Sequence, residues 1–159
     1  MFQSKTYEGP IQEQYGLLSR QLDALLDGES DQTANLSNAS ALLNQFLKDV
    51  NWVGFYIWKD GGLVLGPFQG LPACVRIAYG KGVCGTAVKD KRTMRVDDVH
   101  QFPGHIACDA ASNSEIVIPL IRNGELLGVL DIDSPLKNRF SEDDEKGLEQ
   151  FVQVLLKHV

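Results

Sequence analysis

The chain has 159 residues, 43% of them hydrophobic, and a formal charge of −6. A chain of this length buries roughly two-thirds of its unfolded surface and folds without disulfide support, while its acid excess repels a phosphate backbone and excludes nucleic acid as a partner. Its three cysteines form no Cys-x-x-Cys pair, which argues against a secreted disulfide framework and for the reducing cytoplasm. Met1 to Thr6 lacks the apolar segment of a signal peptide, and no apolar run approaches the roughly 18 residues that cross a bilayer. The expectation is a cytoplasmic protein without membrane contact, a single domain over residues 1–159.

The apolar residues Ile11, Tyr15, Leu18, Leu22, Leu25 and Leu26 recur at helical spacing, and Gly28 stands where a helix C-cap belongs. Asp31 is placed to cap a second helix, whose apolar series Ala39, Leu42, Leu43, Phe46 and Leu47 follows Asn35 and stops before Asn51. Residues 51–58 are aromatic and β-branched, Lys59-Asp60-Gly61-Gly62 is a turn, and residues 63–68 return as a second strand. A short strand is expected over residues 74–77, then a glycine-rich loop, Gly80-Lys81-Gly82-Val83-Cys84-Gly85, leading into a short helix, then an extended piece over 93–96.

Residues 97–113 are small, polar or turn-forming, and a loop of that length inside a compact domain is more often functional than idle. Residues 115–121 and 125–133 flank Asn123-Gly124, a strong hairpin signal. Ser141 opens a last helix, with Glu142, Asp143 and Asp144 at its positive end and Leu148, Phe151, Val152, Leu155 and Leu156 as its apolar stripe. Two helices, hairpins and a closing helix make an α+β fold: a central, mainly antiparallel sheet, helices from both chain ends packed on one face, and a ligand pocket on the other.

The chemistry-bearing residues are the cysteines Cys74, Cys84 and Cys108, together with acids on the last two strands. A thiolate attacks electrophilic sulfur, a second thiol resolves the adduct as a disulfide, and a carboxyl group donates a proton or holds a cation. Asp131 and Asp133 are two apart on a strand, so they share a face with side-chain origins roughly 6 to 7 Å apart. Their bland alternative is a solvated sheet face ending in an Asx-type turn at Asp133-Ser134-Pro135. Trp52 and Tyr56 also share a face, and Gly54 between them leaves space beneath the rings; core packing is the bland alternative. A lone cysteine is commonly a small buried hydrophobe, a role that suits Cys74 best and Cys108 least.

Glu115 poses a difficulty. A regular hairpin closed at Asn123-Gly124 pairs it with Ile132 and turns it away from the aspartates. A bulge at Pro119, which cannot donate to a ladder, would shift the register by one residue and bring Glu115 onto the pocket face. His100, His105 and Cys108 fit no standard zinc spacing, so no metal site is expected.

The succession Gly82-Val83-Cys84-Gly85-Thr86-Ala87, Ile118-Pro119-Leu120 and Gly124-Glu125-Leu126-Leu127-Gly128-Val129-Leu130-Asp131-Ile132-Asp133-Ser134 resembles a GAF domain. Asn51-Trp52-Val53-Gly54-Phe55-Tyr56, Gly104-His105-Ile106-Ala107-Cys108-Asp109 and the three cysteines are similar, more specifically, to the free methionine-(R)-sulfoxide reductases, from about Gly16 to the C-terminus. The resemblance implies that free L-methionine-(R)-sulfoxide is reduced to methionine with no bound cofactor, and that thioredoxin, fed by NADPH through its reductase, recycles the enzyme. It implies Cys108 as the attacking thiol, Cys74 as the resolving one and Cys84 as either an attacking or an accessory thiol. Glu115, Asp131 and Asp133 match the pocket carboxylates, and Trp52 and Tyr56 the aromatics around the substrate's methyl end. Backbone amides at Gly82 and Gly85 or the Ser114 hydroxyl are candidates for the substrate carboxylate. A homodimer is left open. The alternatives are a GAF sensor that binds a small molecule without turning it over, and a thiol redox switch.

Overall fold

The computed structural model describes residues 6–106 and 110–159; Cys108, with the attacking role the resemblance gives it, lies outside the described residues. Helix α1 spans Ile11–Leu26, as the apolar spacing predicts, and the chain leaves it through Gly28 at φ +82°, a left-handed backbone that favours glycine. Helix α2, Gln32–Phe46, begins seven residues before Ala39, the first of the apolar series, because Asp31 caps it by accepting the Ala34 amide at 2.8 Å.

Strands β1 (Trp52–Lys59) and β2 (Gly62–Gly70) form the first hairpin, and β3 is the short segment Arg76–Ala78, which starts two residues later than expected and leaves Cys74 in the connection. Helix α3, Gly82–Asp90, grows out of the glycine-rich loop, and β4, Met94–Val96, follows. The long loop contains one turn of 3₁₀ helix at Val99–Gln101. Strands β5 (Ser114–Arg122) and β6 (Glu125–Ser134) make the second hairpin, and α4 runs over Glu142–Leu155 behind a capping box of Ser141 and Asp144. The six strands lie in the order β3-β2-β1-β6-β5-β4, every neighbouring pair antiparallel.

Alternation along the strands divides their side chains between two cores. On one face Val53, Phe55, Ile116, Ile118, Leu130 and Ile132 pack against Tyr15, Leu18 and Leu22 of α1, Leu43 of α2, and Leu148 and Phe151 of α4. Gly147 on α4 makes room for Tyr15, since a Cβ there would lie 2.2 Å from the ring, and the Tyr15 hydroxyl then donates to Asp144 at 2.7 Å. Asp144 also accepts from Arg139 and from the Ser141 amide and hydroxyl, so its buried carboxylate is fully satisfied. On the opposite face Trp52, Tyr56, Val117 and Val129 meet Val83, Cys84, Ala87 and Val88 of α3. That face is therefore covered in part by α3, and the pocket opens beside the start of this helix.

The register irregularity exists, but Pro119 is not its cause. Pro119 pairs regularly with Val129, and the shift falls between Leu120, opposite Gly128, and Ile121, opposite Leu126. The extra residue is Leu127, on β6. Gly128 permits it: its φ is +156°, and a Cβ there would stand 2.2 Å from the Tyr56 carbonyl oxygen on β1. The result is that Glu115 pairs with Asp133 and shares its face.

Candidate active site

Three strands deliver the polar floor of the pocket. β6 supplies Asp131 and Asp133, β5 supplies Glu115 opposite Asp133, and β1 places Trp52 opposite Asp133 and Gly54 opposite Asp131. Because paired residues in a sheet project to the same side, these groups converge with Tyr56 on one patch. Cys84 reaches the same patch from the first turn of α3, and Pro72, Ala73, Lys81, Gly82, His105, Ile106 and Ser112 complete the walls. Thus Trp52, Tyr56, Cys84, Glu115, Asp131 and Asp133 are brought together, and the solvated-face reading of the aspartates is corrected, since Asp131 is only 5% exposed.

Two other expectations at the site change. The space beneath the rings at Gly54 is filled: a Cβ there would meet Phe68 Cβ at 2.2 Å, and the Phe68 ring stacks on Trp52 with centroids 5.0 Å apart. The glycine serves the close approach of β2. Ser114 is withdrawn from the pocket, its hydroxyl donating to the Leu136 carbonyl at 2.5 Å. Gly85 is likewise structural, held against the Ala78 carbonyl, whereas Gly82 does line the pocket.

The aromatic residues also act through their polar tips. Trp52 Nε1 donates to the Leu71 carbonyl at 3.2 Å, the Tyr56 hydroxyl donates to the Cys74 carbonyl at 2.9 Å, and the two rings stack with centroids 5.8 Å apart. The β2–β3 connection, including Cys74, is thereby pinned over the pocket. Cys74 is disulfide-bonded and Cys84 is a free, buried thiol.

Burial dominates the electrostatics. It pushes Glu115 well above the usual carboxylate range, and the neighbouring charges of Asp131 and Asp133 push the same way, so Glu115 holds its proton far more tightly than an exposed carboxyl group does. Burial also raises Asp131, opposed by hydrogen bonds from Glu115 and the Cys84 thiol. The Cys84 thiol is driven well up by burial and then by the surrounding acids, which holds it as S–H. His105 is lowered by burial and by His100, against the pull of Asp131, and is neutral near pH 7. No lysine or arginine is ion-paired with Glu115 or Asp131 among the described residues.

At the pocket mouth, α3 begins at Lys81 with no side-chain cap, leaving its first amides and positive dipole end beside the acids. Lys81 and Ser112 are residues that sequence reasoning missed. Lys81 is the one cation within the glycine-rich motif, a signal present in the sequence; Ser112, held by Asn51 Nδ2 at 3.1 Å, carries none.

The chain matches the GAF domain over residues 21–158. It is 57% identical to the free methionine-R-sulfoxide reductase of Escherichia coli strain K12 over 143 residues, which are 90% of this chain and 87% of that one. It is also similar to the solved structure of free methionine-R-sulfoxide reductase from Neisseria meningitidis in complex with its substrate: TM-score 0.94, 39% identity, 99% of this chain and 95% of that chain covered. The structure of fRMsr of Staphylococcus aureus in complex with substrate gives a TM-score of 0.88 and 51% identity, covering 97% of this chain and 99% of that chain.

Proposed function

Because this chain belongs to the free methionine-R-sulfoxide reductases of the GAF-domain family, we propose that it is an oxidoreductase that reduces free L-methionine-(R)-sulfoxide to L-methionine, with thioredoxin restoring the thiols. The observation that carries this reading is the convergence of Glu115, Asp131 and Asp133 on one sheet face beside Trp52 and Tyr56, at the uncapped start of α3. The acids suit an ammonium group, the α3 amides with Lys81 suit a carboxylate, and the rings suit an S-methyl group. A pocket that engages both charged ends of an amino acid rejects the same side chain within a polypeptide, where those ends are amides.

In the reaction, the Cys108 thiolate attacks the sulfoxide sulfur and Glu115, protonated by its surroundings, supplies a proton to the oxygen. The oxygen ends as a sulfenic acid on Cys108, and methionine leaves with its sulfur reduced by two electrons. Cys74 then attacks the sulfenic sulfur, releasing water and closing a disulfide that a thioredoxin dithiol reopens. Two features support the division of labour among the thiols. Cys74 is disulfide-bonded, and Cys84 sits where its thiolate is disfavoured, which argues against Cys84 as the attacking group. We place this chemistry in a reducing compartment, the cytoplasm, where thioredoxin and NADPH are maintained. No described helix is long and apolar enough to cross a membrane.

The deciding experiment is thioredoxin-coupled NADPH consumption with the free R epimer, the free S epimer and a peptide-bound sulfoxide. Turnover confined to the free R epimer is expected. Binding of the amino acid without turnover, from folded and reduced protein, would replace the reductase by a sensor.

A further inference from the structure

Cys84, Glu115 and Asp131 form a compact buried cluster in the pocket. Each offers a ligand atom, a sulfur and two carboxylate oxygens, and the three atoms all lie within 4.8 Å of one another. They come from three separate elements, α3, β5 and β6, so the cluster is a product of the tertiary fold. All three residues are buried, at 4%, 6% and 5% exposure. A second observation points into the cluster: the buried Asp131 Oδ1 has no hydrogen-bond partner, although the carboxylate stands beside the protons of Glu115 and Cys84, the two other members of the cluster. A buried carboxylate oxygen left unpartnered is a costly arrangement that a cation relieves.

We propose that Cys84, Glu115 and Asp131 form a binding site for a borderline-soft divalent cation of the Zn²⁺ class, which occupies the pocket in place of the substrate. One thiolate and two carboxylates give three protein ligands with a fourth position open to the cavity, and Zn²⁺ accepts that mixed sulfur and oxygen set in a tetrahedral arrangement. Hard ions such as Mg²⁺ prefer oxygen alone and six-fold coordination, so they are poor occupants. When the metal binds, the Cys84 thiol and the Glu115 carboxyl group each give up a proton to solvent. The ion takes the polar end of the pocket, where the acids face Trp52 and Tyr56, and Cys84 thereby gains a role that attack on sulfur does not give it. That zinc inhibits turnover rests on the reductase reading; that it binds does not.

The test uses the protein isolated without reductant, in which Cys74 is already disulfide-bonded and Cys84 is the free thiol. Co²⁺ is titrated as a spectroscopic stand-in, followed by displacement with Zn²⁺. One equivalent is expected to bind with a sulfur-to-cobalt charge-transfer band, and Zn²⁺ is expected to bleach it. Cys84→Ser abolishes the band, while Asp131→Asn, which leaves the thiol in place, weakens binding at least tenfold, on the order of 1.4 kcal/mol. Absence of binding, a band that survives in Cys84→Ser, or unchanged affinity in folded Asp131→Asn would overturn the site. Should zinc bind as described while the sulfoxide assay shows no turnover, the reductase reading fails and the metal site stands.

Discussion

Glu115 is the residue whose protonation distinguishes this site from an ordinary acidic patch. Its folded-state pKa is raised, first by burial and then by Asp131 and Asp133, so the folded protein keeps a proton that the unfolded chain releases above its usual value of 4.5. The stability this group allows is complete below that value and falls as pH rises toward the folded pKa, by up to about 1.4 kcal/mol per pH unit. Asp131, also raised, adds in the same direction. Glu115→Gln cannot ionise. Its urea midpoint is expected to match wild type near about pH 4 and to exceed it increasingly as pH rises toward the folded pKa of Glu115, with turnover reduced on the order of 10²-fold because the proton donor is gone. Parallel slopes for the two proteins would show that Glu115 ionises freely. Among the cysteines, Cys108→Ser is expected to show no turnover even with a strong chemical reductant, whereas Cys74→Ser keeps turnover under that reductant and loses thioredoxin-coupled recycling. Turnover surviving in Cys108→Ser would transfer the attack to another thiol. At this scale the sequence was informative where strand period alone decides, as for Asp131 with Asp133 and Trp52 with Tyr56. It was uninformative for Ser112, whose place depends on a hydrogen bond from Asn51, 61 positions away.

Among the elements, β6 does the most to build the site, because a single extra residue at Leu127 sets which side Glu115 faces. The conflict between a regular hairpin and a pocket-facing Glu115 was visible in the sequence, and it required an irregularity. Its position was not visible. Proline suggested itself because it lacks an N–H, but the bulge lies where Gly128 lets β1 approach, and knowing that requires knowing that β1 is the neighbour of β6. Gly128→Ala is expected to lower stability by about 3 kcal/mol, since Cβ would strike the Tyr56 carbonyl, and to weaken substrate binding through Tyr56 and Glu115. Pro119→Ala, beside the regular pair with Val129, is expected to leave binding intact; a loss of binding there would restore proline as the determinant. In α4, Gly147→Ala opposes two effects. Alanine gains roughly 1 kcal/mol in helix propensity, but a Cβ 2.2 Å from Tyr15 Cγ displaces the ring and breaks its bond to Asp144. Overpacking wins, and a net loss of about 2 kcal/mol is expected in chemical denaturation.

Across the whole molecule the sheet separates stability from chemistry. α1, α2 and α4 lie on one side, and the pocket with α3 on the other. The helices at both chain ends and the two hairpins were legible from periodicity and turn residues, since those signals are local. The strand order and the cover that α3 gives the pocket face were not, because they follow from pairing between segments far apart in sequence, as when β1 meets β6. One further consequence follows from the hydrogen bonds that pin the β2–β3 connection. Trp52 holds Leu71, three residues before the disulfide-bonded Cys74, and Trp58, one of only two tryptophans, packs away from it against Tyr79. The indole is thus a built-in optical probe. Reduction of the protein is expected to change tryptophan emission in Trp58→Phe as it does in wild type, and to leave Trp52→Phe unresponsive. An equal response from both variants would mean that the connection does not move with the thiols. If the expected pattern holds, each catalytic cycle can be followed by intrinsic fluorescence, without label or coupling enzyme.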